Sequence, residues 1–230
     1  MLDALIEWDR GAMVTLNLSG SHTAFWDSFF WMVSDILVWA PVLVAFFYAV
    51  IRSKKKESIY IFLAVVLLFV LCDQVSSSLL KPHIARLRPS RDPMVMQLLS
   101  YVHEYRGGQF GFPSSHAANS FGFMVLSSLL FRNRVYTVCA AFWALLCSYS
   151  RIYLGVHFPL DICCGTLLGV LLGFLCYHLL RVYLRRHPVE VKPLAGERLT
   201  ESGYSVKDVH TVLMVLAIVL FTIICCAKRF

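Results

Sequence analysis

Residues 59–80 read IYIFLAVVLLFVLCDQVSSSLL. No charge interrupts the run before Asp73. Arg52-Ser53-Lys54-Lys55-Lys56 closes it on one side and Lys81 on the other. About 20 residues of helix cross the roughly 30 Å core of a bilayer, so this run predicts a transmembrane helix. The rest of the chain agrees. Of 230 residues, 58% are hydrophobic and only 15% charged, against about 25% charged in soluble proteins. With a mean hydropathy of +0.68, this excludes a soluble globular domain, a disordered chain and a collagen-like fibre. Residues 1–230 read as a single membrane-embedded domain of all-α class.

Outward from that run, five more apolar segments bring the expected bundle to six transmembrane helices. The predicted spans are Trp31–Ile51, Ile59–Leu80, His116–Phe131, Val135–Ser150, Leu160–Val182 and Val209–Ala227. The third and fourth are short and read as a buried pair joined by Arg132-Asn133-Arg134. Residues 183–207, with Pro188, Pro193 and Gly196, read as a loop. Residues 1–30 read as an amphipathic interfacial helix with Leu2, Leu5, Ile6 and Trp8 facing lipid. Residues 1–20 carry Asp3, Glu7 and Asp9 against Arg10 and lack the positive start of a signal peptide, so insertion is expected to rest on the spans themselves. The eight cysteines lie in apolar runs without disulfide or zinc spacing. They read as small buried hydrophobes, with the reactivity of Cys163 and Cys164 open.

The formal charge is +7. In a membrane chain this points to Lys- and Arg-rich cytoplasmic loops, and it is compatible with an anionic substrate; nucleic acid is not implied. Loops joining spans 1–2, 3–4 and 5–6 hold 12 of the 21 Lys and Arg, and the other face holds 9. Three of those nine belong to the constellation described next. The positive-inside rule then places the 2–3 and 4–5 loops outside the cytoplasm, on the periplasmic side of a bacterial inner membrane.

That outer face gathers the chemistry. Lys81 closes the second span and Arg88-Pro89 follows. Pro113-Ser114-Ser115-His116 opens the third. Ser150-Arg151 ends the fourth, and His157 and Asp161 lead into the fifth. Lys81, Arg88 and Arg151 supply three cations suited to phosphate. Ser114 at a helix start offers a hydroxyl beside free backbone N–H groups and the positive end of a helix dipole. Asp161, four residues after His157, can fix its tautomer and leave Nε2 free to attack phosphorus. His116 would protonate the leaving oxygen and later activate water. No step requires a metal or another cofactor.

The pattern Lys-x6-Arg-Pro, Pro-Ser-x-His, Ser-Arg-x5-His-x3-Asp resembles the three-part signature of the type 2 phosphatidic acid phosphatases, a superfamily that also includes vanadium haloperoxidases and bacterial acid phosphatases. The motifs occupy residues 81–161, and the apolar segments extend the likeness over about 31–227. The resemblance implies a membrane lipid phosphatase with a phosphohistidine intermediate. Lys81, Arg88, Ser114, Ser115 and Arg151 would be the phosphate-binding set, His116 the acid, His157 the nucleophile and Asp161 its partner. It also implies six helices and an outward-facing site. One position departs: the family's Gly is Ser115 here, which keeps the backbone N–H but resists positive φ. A helical backbone there makes the change harmless.

Substrate partners compatible with this reading are polyprenyl diphosphate and lipid A phosphates, which it favours, and phosphatidylglycerol phosphate and phosphatidate. The alternatives are vanadate-dependent peroxidase chemistry on the same scaffold and a lipid carrier or flippase, the latter motivated by Asp35 and Asp73 within spans. Arg86, Arg91 and Arg106 stay open between site residues and snorkelling anchors. His22, His83, His103, His178, His187 and His210 read as surface or interface residues. The 82–112 loop, with Gly107, Gly108 and Gly111, reads as a candidate lid.

Overall fold

The structure is a computed structural model and describes residues 1–188 and 196–229. Eight helices account for nearly all of the regular structure in these residues. They are α1 (Leu2–Asn17), α2 (Ala24–Ser34), α3 (Ala40–Lys54), α4 (Ser58–Asp73), α5 (Ser115–Phe131), α6 (Arg134–Tyr153), α7 (Pro159–Arg186) and α8 (Val206–Ala227). Helix α4 continues through a π-helical turn, Gln74–Leu80, into a last helical turn, Lys81–Ile84.

Five stretches are long and apolar enough to cross a membrane: Ile36–Lys54, Ser58–Ile84, Arg134–Tyr153, Pro159–Arg186 and Val206–Ala227. The six-span expectation is thus met in five. Helix α5 has 17 residues, of which 11 are buried. It is the central helix of the bundle, packing on α4, α6 and most extensively on α7. The fourth span is longer than predicted. Asn133 Oδ1 accepts from the Tyr136 N–H at 2.9 Å and starts α6 before Val135.

The first predicted span begins too early. Trp31 belongs to α2, and the chain breaks at Asp35, whose carboxylate accepts from the Leu37 N–H at 2.9 Å and starts a new 3-10 turn, Ile36–Trp39. A carboxylate is costly within lipid, and an exposed cap at a helix break satisfies it. The predicted interfacial helix over 1–30 divides at Leu18, which is left-handed with φ 57°. Leu5 and Trp8 are exposed as expected and Ile6 is half-buried, while Leu2's side chain lies outside the described residues. The covered face of α1 is instead Asp9, Met13 and Asn17, all fully buried. Helix α7 runs through Arg186, so the predicted 183–207 loop starts later; Pro193 lies outside the described residues. Cys72, Cys147 and Cys176 are buried, but Cys163 and Cys225 are exposed on outer helix faces.

Helices α5 and α7 meet backbone to backbone. Gly165, Gly169 and Gly173 form one face of α7 at four-residue spacing. A Cβ on Gly165 would collide with the Ser114 carbonyl, one on Gly169 with the Ala118 carbonyl, and one on Gly173 would come within 2.7 Å of the Gly122 carbonyl. Small residues at this spacing let membrane helices approach closely where lipid gives apolar contacts little advantage. The approach brings the two helix N-termini together, with the Ser114 N–H donating to the Asp161 carbonyl at 2.9 Å.

Candidate active site

The α5 and α7 N-termini form two walls. Ser114 caps α5 by accepting from the Ala117 N–H at 3.4 Å. Ser115 is the first helical residue, so the Gly-to-Ser departure carries no positive φ. Pro159 opens α7, where its missing N–H costs nothing. The Asp161 carboxylate turns back to accept from the Phe158 N–H at 3.0 Å.

A third wall comes from the turn after α6. Gly155, at φ 74°, lets the chain reverse against Tyr101, whose ring lies 2.8 Å from where a Cβ would stand. His157 then enters with 1% exposure. Its Nδ1 lies 3.4 Å from Asp161 Oδ2, and its Nε2 lies 3.1 Å from Arg88 Nη1. A guanidinium can only donate, so Nε2 presents its lone pair and the ring proton sits on Nδ1, facing the carboxylate. Burial, then the charges of Arg88, Arg151 and Lys81, hold His157 well below the ordinary imidazole pKa. The ring is a neutral imidazole whose Nε2 electron pair accepts from Arg88.

The loop after α4 is the fourth wall. The 85–112 segment is folded across the site and does not stand open as a lid. Leu87 bridges Phe110, Arg88 N–H donates to the Gln109 carbonyl at 3.2 Å, and Gly111 N–H to the Arg86 carbonyl at 2.9 Å. Arg88 is 9% exposed; its Nε donates to the Phe110 carbonyl at 3.1 Å and its Nη1 to the Val156 carbonyl at 3.0 Å. Burial lowers its pKa, and nearby Arg151 adds to the effect. Gly111 sits where a Cβ would be 2.9 Å from Asp161 Oδ2 and 3.2 Å from Arg88 Cγ.

The remaining cations complete the ring. The π-helical turn delays Lys81 by part of a turn, a distortion common at functional sites, and Lys81 Nζ donates to Ser77 Oγ at 3.1 Å and Ser115 Oγ at 3.3 Å. Arg151 is 4% exposed, bonds Ser34 Oγ, and lies 5.9 Å from the Tyr105 ring. Among the described residues its Nε has no partner, although buried. A buried cationic donor left unpaired is costly and is relieved by a bound anion. His116 is exposed on the first turn of α5, within electrostatic reach of His157, Arg151, Lys81 and Arg88. All eight predicted site residues converge on one end of the bundle.

Two further residues reach the site, one of them without a signal in the sequence. Arg86, left open as a possible anchor, donates from Nη1 to Asp161 Oδ1 at 2.8 Å and from Nη2 to Asp9 Oδ2 at 2.5 Å, with its guanidinium 4.4 Å from the Phe158 ring. Its signal was there: two residues before Arg88 in extended chain, it shares a face with the predicted ligand. Asp9 had none. Burial raises its carboxyl above the usual range, against the bonds from Arg86 and Leu160. Asp35 stands outside the site and caps a helix, whereas exposed Asp73 accepts from Ser77 Oγ at 3.2 Å and so reaches Lys81 through that hydroxyl. His22 is half-buried at a contact between segments. It stacks on Tyr153 at 4.1 Å and pairs with Asp27 at 2.9 Å.

Comparison with known proteins gives consistent matches. A family model described as the PAP2 superfamily matches residues 58–186. A lipid A 4'-phosphatase of Porphyromonas gingivalis is 38% identical over 184 residues, covering 80% of this chain and 76% of that protein. A lipid A 4'-phosphatase of Bacteroides thetaiotaomicron is 35% identical over 179 residues, covering 77% and 79%. The fold resembles that of a transmembrane PAP2-type phosphatidylglycerolphosphate phosphatase from Bacillus subtilis, with TM-score 0.59 and 20% identity over 80% of this chain and 87% of that one.

Proposed function

We propose that this chain, which belongs to the PAP2 superfamily and is a membrane lipid phosphatase, removes a phosphate monoester from lipid A through a phosphohistidine intermediate. His157 Nε2 attacks phosphorus while the P–O bond to the sugar breaks, and His116 gives its proton to the leaving oxygen. In the second half, water loses a proton to His116 and attacks phosphorus. The P–N bond then breaks and inorganic phosphate leaves. Lys81, Arg88, Arg151, the Ser114 hydroxyl and the Ser115 N–H hold the oxygens on which charge develops.

The observation that carries the choice of lipid A is the likeness to two lipid A 4'-phosphatases over more than three quarters of this chain. Lys81, Arg86, Arg88 and Arg151 meet three carboxylates, Asp9, Asp161 and, through the Ser77 hydroxyl, Asp73. The remaining positive charge suits a phosphate anion and does not itself distinguish a monoester from a diphosphate. The two lipid A 4'-phosphatases among the relatives favour the 4'-position. Helix α5 serves as the sixth crossing, about 25 Å long at 1.5 Å per residue. The positive-inside count puts the site on the periplasmic face of a bacterial inner membrane, and Arg86, now bound within the site, widens the asymmetry.

The test is phosphate release in detergent from lipid A, undecaprenyl diphosphate, phosphatidylglycerol phosphate and phosphatidate, with His157→Ala as control. Lipid A is expected to give the highest kcat/KM, with loss of the 4'-phosphate seen by mass spectrometry. A preference for the diphosphate would overturn the substrate assignment. Turnover retained by His157→Ala would overturn the mechanism.

A further inference from the structure

We propose that Asp9, on the N-terminal helix α1, is a positioning residue for phosphoryl transfer: it occupies one arm of the Arg86 fork, so that Arg86 binds a single oxygen of Asp161 and leaves the other for His157. The inference rests on the phosphohistidine reading above and adds a residue that lies outside the matched family region, which begins at residue 58.

The geometry is a relay of buried charges. A guanidinium facing a lone carboxylate favours the two-pronged arrangement, with both oxygens taken. Here the prongs are divided. Arg86 Nη1 reaches Asp161 Oδ1 at 2.8 Å and Nη2 reaches Asp9 Oδ2 at 2.5 Å. Asp161 Oδ2 is thereby left for the Phe158 N–H at 3.0 Å and His157 Nδ1 at 3.4 Å. Asp9 and Asp161 are both fully buried, so neither contact is shared with bulk water. The second oxygen of Asp9 accepts from the Leu160 N–H at 2.9 Å, tying α1 to the first turn of the helix that carries Asp161. Without Asp9, Arg86 is free to swing onto both oxygens of Asp161 and draw the carboxylate from the imidazole.

Helix α1 is held in register for this by contacts other than the Asp9–Arg86 pair. Arg10 Nε donates to Asp92 Oδ2 at 3.0 Å. Asn17 Oδ1 accepts from the Ser100 N–H at 2.9 Å, and its Nδ2 donates to the Tyr153 carbonyl at 2.8 Å. Met13 packs with Val95, Leu99, Ile152 and Phe158 in one buried cluster. The helix therefore spans the 85–112 loop, the turn before His157 and the start of α7.

The experiment compares Asp9→Asn, Arg86→Ala, the double variant and Arg10→Ala, as full-length protein in detergent. It measures kcat and KM on lipid A, inhibition by vanadate, and thermal unfolding. Asp9→Asn keeps the side-chain shape, and kcat should fall about tenfold or more, since misplacing a reacting group by about 1 Å has such an effect. KM and the vanadate inhibition constant should stay within about twofold, because Lys81, Arg88 and Arg151 are untouched. Combined with Arg86→Ala, the second substitution should add less than about twofold. Arg10→Ala removes one of the ties of α1 and leaves Asn17 and Met13 to hold Asp9 in place, so it should lower the unfolding temperature with kcat retained. Independent, multiplying effects of Asp9→Asn and Arg86→Ala, an unchanged kcat in Asp9→Asn, or equal kcat losses in Asp9→Asn and Arg10→Ala would overturn the inference. His157→Ala in the same assay separates the two readings. If it is active, the phosphohistidine reading fails; if it is inactive while Asp9→Asn matches wild type, only the role of Asp9 fails.

Discussion

Both ends of the bundle are rich in cations, yet among the described residues only one end buries and orients them. At the His157 end, Arg88 and Arg151 are 9% and 4% exposed and their donors are aimed by carbonyls, Ser34 and the imidazole. At the opposite end, Arg181 and Arg185 are exposed around a cavity of about 260 Å³ that also includes Lys54, Tyr177 and Tyr204. Arg52 there pairs with Glu197 at 2.8 Å while 42% exposed. Solvent and salt screen exposed charges of this kind, and their pairs contribute little. Burial removes the screening, so the same residue type becomes a fixed electrostatic element. Burial and orientation distinguish the two ends; the number of cations does not.

The largest expected effect is at His157, the proposed nucleophile. His157→Ala should lower phosphate release from lipid A by about 10³-fold or more. Next is Arg151→Lys, which keeps the charge but loses the planar fork; kcat/KM should fall by about 100-fold, whereas Arg181→Lys should leave it within about twofold. Equal losses at Arg151 and Arg181 would erase the contrast between the two ends.

The helix contact can be broken separately. Gly169→Leu forces α5 from α7 and should reduce kcat about tenfold, with a lower unfolding temperature. Leu171→Ala, at an exposed outer position of the same helix, should change neither. A smaller effect concerns pH. Folded His157 stays neutral while the unfolded imidazole titrates near 6.5, so the unfolded chain binds the extra proton. Stability should therefore be lost as pH falls below about 6.5, by at most about 1.4 kcal/mol per pH unit from this group. Unfolding temperatures at pH 5.5 and 7.5 measure it, and His157→Asn should flatten the dependence. The smallest effect is expected at the opposite end, where Arg181→Ala with Arg185→Ala should alter kcat/KM by less than about twofold.

The sequence located the helices because membrane spanning is a local property: an apolar run must form a helix to satisfy its own backbone. The boundary at Asp35 failed because a polar side chain interrupts an otherwise apolar segment, and that over residues 1–30 because the chain turns at left-handed Leu18 before Thr23 caps α2. The eight motif residues were legible for a related reason. They sit at helix ends, and alternating spans return those ends to one face. Lys81 was assigned without the π-helical turn that aims it, since the i+5 shift leaves no mark on apolar spacing.

What the sequence alone determined was an all-helical membrane protein with phosphate chemistry at one rim, because apolar run length and motif spacing are written along the chain. The tertiary structure decided which charges act. Asp9 meets Arg86 across 77 positions, and Gly165 and Gly169 bring α7 against α5 at Ser114 and Ala118. Pair geometry and loss of solvent screening arise only when distant segments pack. The surface cation and the site cation are the same residue type until the fold assigns each its surroundings.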